Sequence, residues 1–256
     1  NPAPVVDAGL DKTILAGTAT YLNASVTGGT APYVYNWTPV VSLNNPAILT
    51  PIATPTVTTV YTLEVTDAQG CMAMDQVTVT VTALPAGHNI NGIVTYDNGI
   101  NTLLDNVSVY LNDGVAVQDT TMTDPLGQYI FPGLNNGTYQ ISATTLKPWG
   151  GVNSLDALKI AHHFQGISIL NGLRLGAADV DGNGVVNAND ALLTMQRSAG
   201  YTNSFPIGKD WLFEQTSVTL AGGDVINNFM GICYGDVNGS QFTGVKSSGI
   251  SQLPVS

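Results

Sequence analysis

A chain of 256 residues is long enough for two or three domains, and its formal net charge of -11, seven Lys and Arg against eighteen acids, disfavours nucleic acid and anionic membrane surfaces as partners. Only 10% of residues are charged while 44% are hydrophobic, so Thr, Asn, Ser and Gly must carry solubility, and no stretch is long and apolar enough for a membrane-inserted helix. Apart from Glu64 and Glu214 every acid is Asp, which suits turns, helix caps and hard cations better than helix surfaces.

The chain opens on Asn1-Pro2 with no Met and no signal peptide, and it is expected to be a processed or excised piece. Residues 5–81 alternate polar Thr with apolar side chains, as in Thr20-Tyr21-Leu22-Asn23-Ala24 and Val77-Thr78-Val79-Thr80-Val81, a period of two that predicts half-buried strands. Turn residues separate them at Gly28-Gly29, Asn44-Asn45-Pro46 and Asp67-Ala68-Gln69-Gly70. Trp37, at the end of a strand, and Tyr61 with Leu63 on one face of another supply an immunoglobulin-type core. Gly-Gly-Thr-Ala-Pro-Tyr-Val-Tyr-Asn-Trp (28–37) and Tyr-Thr-Leu-Glu-Val-Thr-Asp (61–67) resemble the PKD and Ig-like modules of bacterial surface proteins, which implies a β-sandwich over residues 1–84. Leu63 stands where antibody domains carry a cysteine, so no bridge between sheets is implied. Cys71 and Cys233 fall in different segments and are read as buried thiols, with a disulfide between them as the alternative.

A Pro-containing linker at 83–87 leads to strands at 93–96, 107–111, 115–122, 129–131 and 138–143, with turns at Asn112-Asp113-Gly114, Asp124-Pro125-Leu126-Gly127 and Asn135-Asn136-Gly137. Ile93-Val94-Thr95-Tyr96 and the run from Gly127 to Leu134 with Gly137-Thr138-Tyr139 resemble the carboxypeptidase-regulatory-like or Cna-B-like β-sandwich, which implies a spacer over residues 88–145. No lysine precedes Lys147 in this segment, so no isopeptide bond is implied.

From residue 146 the period changes. Residues 179–190 read Asp-Val-Asp-Gly-Asn-Gly-Val-Val-Asn-Ala-Asn-Asp. Counted from Asp179, oxygen-bearing side chains fall at loop positions 1, 3, 5, 9 and 12 (Asp179, Asp181, Asn183, Asn187, Asp190). Gly184 takes the sharp turn at position 6 and Val185 offers its carbonyl at position 7. These groups supply the oxygens that Ca²⁺ takes without sulfur or imidazole; the alternative is an Asx-rich turn. Leu155, Leu158, Ala161 and Phe164 recur at helical spacing after Asp156, as do Ala191, Leu192 and Met195 after Asp190. Two loops ending in Asp, each followed by a helix, resemble a dockerin, a duplicated calcium-loop-and-helix module. The resemblance implies Asp179, Asp181, Asn183, Val185 and Asp190 as ligands, with Asn187 near the metal through water.

The first loop of such a module is only half present. Gly151-Val152-Asn153-Ser154-Leu155-Asp156 fits positions 7 to 12, but positions 1, 3 and 5 fall on Thr145, Lys147 and Trp149, and a charged lysine cannot ligate Ca²⁺. Asp236-Val237-Asn238-Gly239-Ser240 repeats the start of a loop with nothing after it to complete one. The sequence therefore predicts a split site of Asp236, Asn238, Ser240, the Gly151 carbonyl, Asn153 and Asp156, against an ordinary Asx-turn and an empty first site. One Ca²⁺ is expected, and two if the split site forms. Strands near 211–213, 217–220 and 224–232 read as additions to this α+β module, taken as residues 146–245, and 246–256 as a tail or the start of a further domain whose strand could pair with a neighbouring sheet edge. Removing calcium is expected to destabilise 146–245 and leave the sandwiches unchanged.

No Gly-x-Ser-x-Gly, His-Glu-x-x-His, phosphate-binding Gly loop or Cys-x-x-Cys occurs, and Glu64 and Glu214 lie in different segments, so catalysis is not expected. Adjacent His162 and His163 diverge on a helix and read as a solvated flank, and His88 has no partner nearby in sequence. Sequons at Asn23, Asn36, Asn106, Asn136 and Asn238 are expected by chance in so Thr- and Asn-rich a chain, whereas Asp119-Thr120-Thr121 resembles an O-glycosylation signal of Bacteroidota. The expectation is a mainly β chain, two sandwiches and a small dockerin-like calcium module, serving as a non-catalytic segment of a secreted or cell-surface bacterial protein: an adhesive stalk or self-associating filament subunit. Two alternatives are carried. A dockerin would bind a cohesin-like partner through loop positions 10 and 11, here Ser154, Leu155, Ala188 and Asn189, which lack the expected hydroxyl pair; and Trp37, Trp149 and Trp211, if exposed, would form a platform for cell-surface polysaccharide.

Overall fold

The computed structural model describes residues 2–240; the tail or further domain expected at 246–256 lies outside them. The chain is mainly β, with three helices among the described residues. Its first unit contains β1 (Pro4–Asp7), β2 (Lys12–Leu15), β3 (Thr20–Tyr21), β4 (Ser25–Gly28), β5 (Val34–Thr38), β6 (Ile52–Ala53), β7 (Thr59–Thr66) and β8 (Met72–Thr82). One sheet has the order β2-β8-β7-β5, with β2 parallel to β8, and the short antiparallel pairs β1-β4 and β3-β6 complete the unit. Period two decides what goes inside. On β7, Tyr61, Leu63 and Val65 are fully buried, and they meet Trp37 of β5 and Val77 and Val79 of β8 in one core. The polar ends of the two large aromatics are satisfied: the Trp37 indole N–H donates to the Ile48 carbonyl at 3.0 Å, and the Tyr61 and Ser42 hydroxyls lie 2.6 Å apart. The strand expected at 20–24 extends only over Thr20–Tyr21, although Leu22 and Ala24 still point inward.

The second unit begins with β9 (His88–Tyr96), β10 (Val107–Asn112), β11 (Val117–Met122), β12 (Gln128–Leu134) and β13 (Gly137–Thr145). Helices α1 (Ser154–Phe164), α2 (Gly172–Ala178) and α3 (Ala188–Ser198) follow, and then β14 (Trp211–Phe213), β15 (Thr216–Leu220), β16 (Val225–Ile226) and β17 (Phe229–Cys233). The sequence assigns three late strands, near 211–213, 217–220 and 224–232, to the calcium module; the last of these is two strands, and all four instead enter the sheets of the second sandwich. One sheet runs β11-β10-β13-β15, and the other β12-β9-β17-β14 with β16 also on β9. β15 lies antiparallel to β13, with Ile141 opposite Thr216, and β17 lies parallel to β9, with Phe229 opposite Val94. The physical reason is edge and face coverage. Five strands alone would leave β9 and β13 with unpaired backbone edges and part of the core open to water, and the late strands close both. Trp211, Phe213, Phe229 and Ile232 accordingly share one core with Val94, Tyr96, Val109 and Phe131.

The helices are thus inserted between β13 and β14. Trp211 donates its indole N–H to the Lys147 carbonyl at 3.0 Å, Arg174 of α2 pairs with Asp97 at 2.8 Å just after β9, and the Gly235 N–H donates to the Ala177 carbonyl at 2.8 Å. Helix α2 is not foreseen in the sequence; Gly172 starts it at φ +55°.

Candidate metal centres

The loop before α3 draws its side chains inward because its backbone N–H groups point to them. Asp179 accepts from Gly182 N–H at 3.0 Å, Asn183 N–H at 3.1 Å and Gly184 N–H at 2.9 Å, while Asn183 Oδ1 accepts from Val185 N–H at 2.8 Å. Gly184 holds the bend at φ +85°, where a side chain is disfavoured. Asp190 accepts from Val180 N–H at 3.0 Å and Asn187 N–H at 2.9 Å, and the latter bond belongs to the capping box that starts α3. Loop positions 9 and 12 therefore double as N-cap and N3 of the helix. Carboxylate oxygens of Asp179, Asp181 and Asp190 all lie within 4.8 Å of one another. That separation matches ligands on one Ca²⁺, whose oxygens sit at about 2.3–2.6 Å and hence up to roughly 5 Å apart. Burial pushes the Asp190 carboxyl above its ordinary range, its backbone hydrogen bonds oppose this, and the charge of Asp181 raises it further.

The half-loop before α1 and the segment after β17 meet. Asp156 and Asp236 are both fully buried. The Asn238 N–H donates to Asp156 Oδ1 at 2.9 Å, the Asn153 amide donates to Ser240 Oγ at 2.9 Å, and the Ser240 hydroxyl donates to the Gly151 carbonyl at 3.0 Å. Gly151 lies at φ +82°, and a β-carbon there would overlap the Asp236 carboxylate. All six residues predicted for the split site are in one place. Burial pushes the Asp156 carboxyl up to about 6, with N–H groups of Asn153 and Asn238 opposing and Asp236 adding to the rise; burial also raises Asp236, against the Tyr96 hydroxyl, the Ser240 N–H and the Arg174 charge. None of the three ion pairs among the described residues, Lys147–Asp105, Arg174–Asp97 and Arg197–Asp210, involves a carboxylate of either loop.

Two buried side chains carry no local sequence signal, and the first of them reaches this centre. The Tyr96 hydroxyl, at the end of β9, donates to Asp236 Oδ2 across 140 positions of sequence. Arg197 of α3 is buried with its guanidinium 4.0 Å above the Trp149 ring and 4.4 Å from Phe205.

The remaining candidates are engaged in the fold. Trp37 and Trp211 are buried and Trp149 is covered by Arg197, so the three do not form an open aromatic platform. His163 Nδ1 accepts from Leu170 N–H at 3.0 Å, which makes it part of the turn after α1 rather than a freely solvated flank. Both cysteines are free thiols; Cys233 is buried, whereas Cys71 is only half-buried. On the helices the apolar expectation holds only for the small residues: Ala161 and Ala191 pack inward beside Asp156, Ala157, Ile160, Asp190 and Thr194, whereas Leu155, Leu158, Phe164, Leu192 and Met195 are exposed. No helix of the described residues is long and apolar enough to cross a membrane.

Residues 150–197 match the family model of the dockerin type I domain, a stretch that contains α1, α2 and α3 up to its penultimate residue and ends well before Asp236. Dockerin domains are calcium-binding, protein-binding modules of non-catalytic type. No curated protein matches the chain. Among solved structures, a PKD domain is 26% identical over 32% of this chain and 91% of its own, with a TM-score of 0.28. The two-domain Ig module of a Drosophila receptor protein tyrosine phosphatase is 13% identical over 57% of this chain and 92% of its own, with a TM-score of 0.27. The major pilin subunit of Bacillus cereus is 11% identical over 90% of this chain and 70% of its own, with a TM-score of 0.29.

Proposed function

We propose that this chain is a non-catalytic structural or adhesive segment of an extracellular, cell-surface protein, organised as two β-sandwiches with a helical dockerin-type insert that Ca²⁺ at 179–190 cross-links. The observation that carries this reading is the convergence of Asp179, Asp181 and Asp190 oxygens within 4.8 Å, inside a stretch of dockerin type. Like charges that close repel by roughly 3–4 kcal/mol per pair at an effective dielectric near 20. A dication turns that repulsion into attraction, so its binding free energy becomes folding free energy of the insert. Extracellular modules of this kind bind at about 10⁻⁴ to 10⁻³ M, which keeps the site filled outside cells and makes it a staple rather than a sensor.

Calcium titration of the full chain by calorimetry tests this. Binding in that range is expected, with the contribution of this loop lost in Asp179→Ala/Asp181→Ala; a wild-type chain that binds no calcium overturns the reading.

A second reading, anchoring to a cohesin-like protein partner, is favoured by the outer sides of α1 and α3, where Leu158 is 48% and Leu192 52% exposed beside Ser154, Leu155, Ala188 and Asn189 in the first helical turns. Unpaired apolar side chains on both helices suit a protein surface better than water. Leu158→Asp/Leu192→Asp would abolish capture of a cohesin domain while leaving calcium binding intact; capture by this variant equal to wild type removes the reading.

A further inference from the structure

Asp236-Val237-Asn238-Gly239-Ser240 reads like the opening of the loop at 179–190, Asp-Val-Asp-Gly-Asn. Four of the contacts repeat the likeness. Ser240 N–H to Asp236 Oδ1 at 3.1 Å copies Asn183 N–H to Asp179 Oδ1 at 3.1 Å. Asn238 N–H to Asp156 Oδ1 at 2.9 Å copies Asp181 N–H to Asp190 Oδ1 at 3.3 Å. Asn153 N–H to Asp156 Oδ2 copies Asn187 N–H to Asp190 Oδ2, both at 2.9 Å, and the Asn153 amide reaches the Gly151 carbonyl at 3.1 Å as that of Asn187 reaches Val185 at 3.0 Å. Val237 and Val180, second in each run, are both buried. The residues that a contiguous first loop would use are occupied elsewhere: Lys147 pairs with Asp105 at 2.6 Å, and Trp149 lies against Arg197.

We propose that Asp236, Asn238 and Ser240 join the Gly151 carbonyl, Asn153 and Asp156 in a second Ca²⁺ site, split along the chain, through which the segment after the last strand of the second sandwich is tied to the start of α1. The inference rests on 179–190 being a calcium loop, since that loop is its template. What points to a ligand, beyond the arrangement itself, is the Asn238 side chain: its Oδ1 and Nδ2 are both buried and neither has a hydrogen-bond partner. A buried amide is costly to leave unpaired, and a cation beside Oδ1 at loop position 3 supplies a partner for that oxygen. The donor set is all oxygen, as Ca²⁺ requires, with two carboxylates where the contiguous loop has three, so this is the weaker of the two sites. Tyr96 acts as a positioning residue, its hydroxyl holding Asp236 Oδ2 from β9.

The test is calcium titration of the full chain with the fold of each variant checked by circular dichroism. Wild type is expected to take up two ions, Asp236→Asn one, and Asp181→Asn to lose the other. Should Asp236→Asn not fold, the Asn238→Ala/Ser240→Ala chain, which leaves both buried carboxylates in place, is expected to show the same loss of one ion. Tyr96→Phe is expected to weaken only the split site, by about 10- to 100-fold, the usual cost of removing an outer partner of a metal ligand. A single ion in wild type, or two ions at wild-type affinity in the folded Asp236 or Asn238/Ser240 variants, overturns the split site. Loss of an ion in those variants with no response to Asp181→Asn would instead refute the contiguous loop.

Discussion

Cys233 and Cys71 show how one residue type takes opposite chemistry from its surroundings. Cys233 ends β17 with no exposure, beside Tyr96 and Asp236, and burial pushes its thiol up to about 12. A thiol in that state is protonated at neutral pH and closed to reagents. Cys71 follows the turn in which Asp67 accepts the Gln69 and Cys71 N–H groups, each at 2.9 Å, and is half-buried. Ellman's reagent at pH 8 is therefore expected to titrate one thiol in the native chain and two after unfolding in denaturant with chelator; two fast thiols in the native chain would contradict the burial of Cys233. At this scale the sequence makes the loop at 179–190 fully legible, because its ligands lie within twelve residues and each is a type that Ca²⁺ accepts. The split half is legible as a repeated fragment. Tyr96 is not legible at all, since nothing around Ile93-Val94-Thr95-Tyr96 marks that the ring will meet a carboxylate 140 positions on.

Helices α1 and α3 begin on Asn153 with Asp156 and on Asn187 with Asp190, each a complete capping box. The signal that starts each helix is thus the same pair that closes each loop, which is why helix positions were readable here even though the buried face was not. Leu155, Leu158 and Phe164 form an apolar stripe as persuasive as the true one, but α1 packs on α3 through small residues, and the inward face is Asp156, Ala157 and Ile160. Ile160 shares a core with Ala178, Ala191 and Val237. Denaturant unfolding in saturating calcium should separate the two faces: Ile160→Ala is expected to cost about 2–5 kcal/mol, and Leu158→Ala, half exposed, about 0.5 kcal/mol or less. Equal losses would mean that the face assignment is wrong. Strands carry the same lesson in milder form. Period two located β7, β8, β10 and β13 well, yet it said nothing of which sheet β14 to β17 would join, because pairing partners are set by open edges elsewhere in the chain.

The whole molecule follows from those open edges. Since β15 lies on β13 and β17 on β9, the second sandwich is complete only when the chain returns from the helices, and the helical insert runs from β13 in one sheet to β14 in the other. Val237 extends this link, for it leaves β17 and enters the core of α1 and α3. The first sandwich has its own core, separate from these. This changes what calcium removal should do. Sequence alone confines the effect to 146–245, but with β14 to β17 in the sandwich sheets and Val237 in the core of α1 and α3, the second sandwich and the insert are expected to unfold as one block. Calcium at about 100 times its dissociation constant adds roughly 2.7 kcal/mol per site, and for a block of some 150 residues each kcal/mol moves the midpoint by about 2–4 °C. Scanning calorimetry with and without EGTA is therefore expected to show the transition of the residue 88–240 block falling by about 5–10 °C for each ion lost, with the transition of residues 2–82 unmoved. A drop confined to the helical signal, with the sandwich strands melting at an unchanged temperature, would show that the insert and the second sandwich unfold independently.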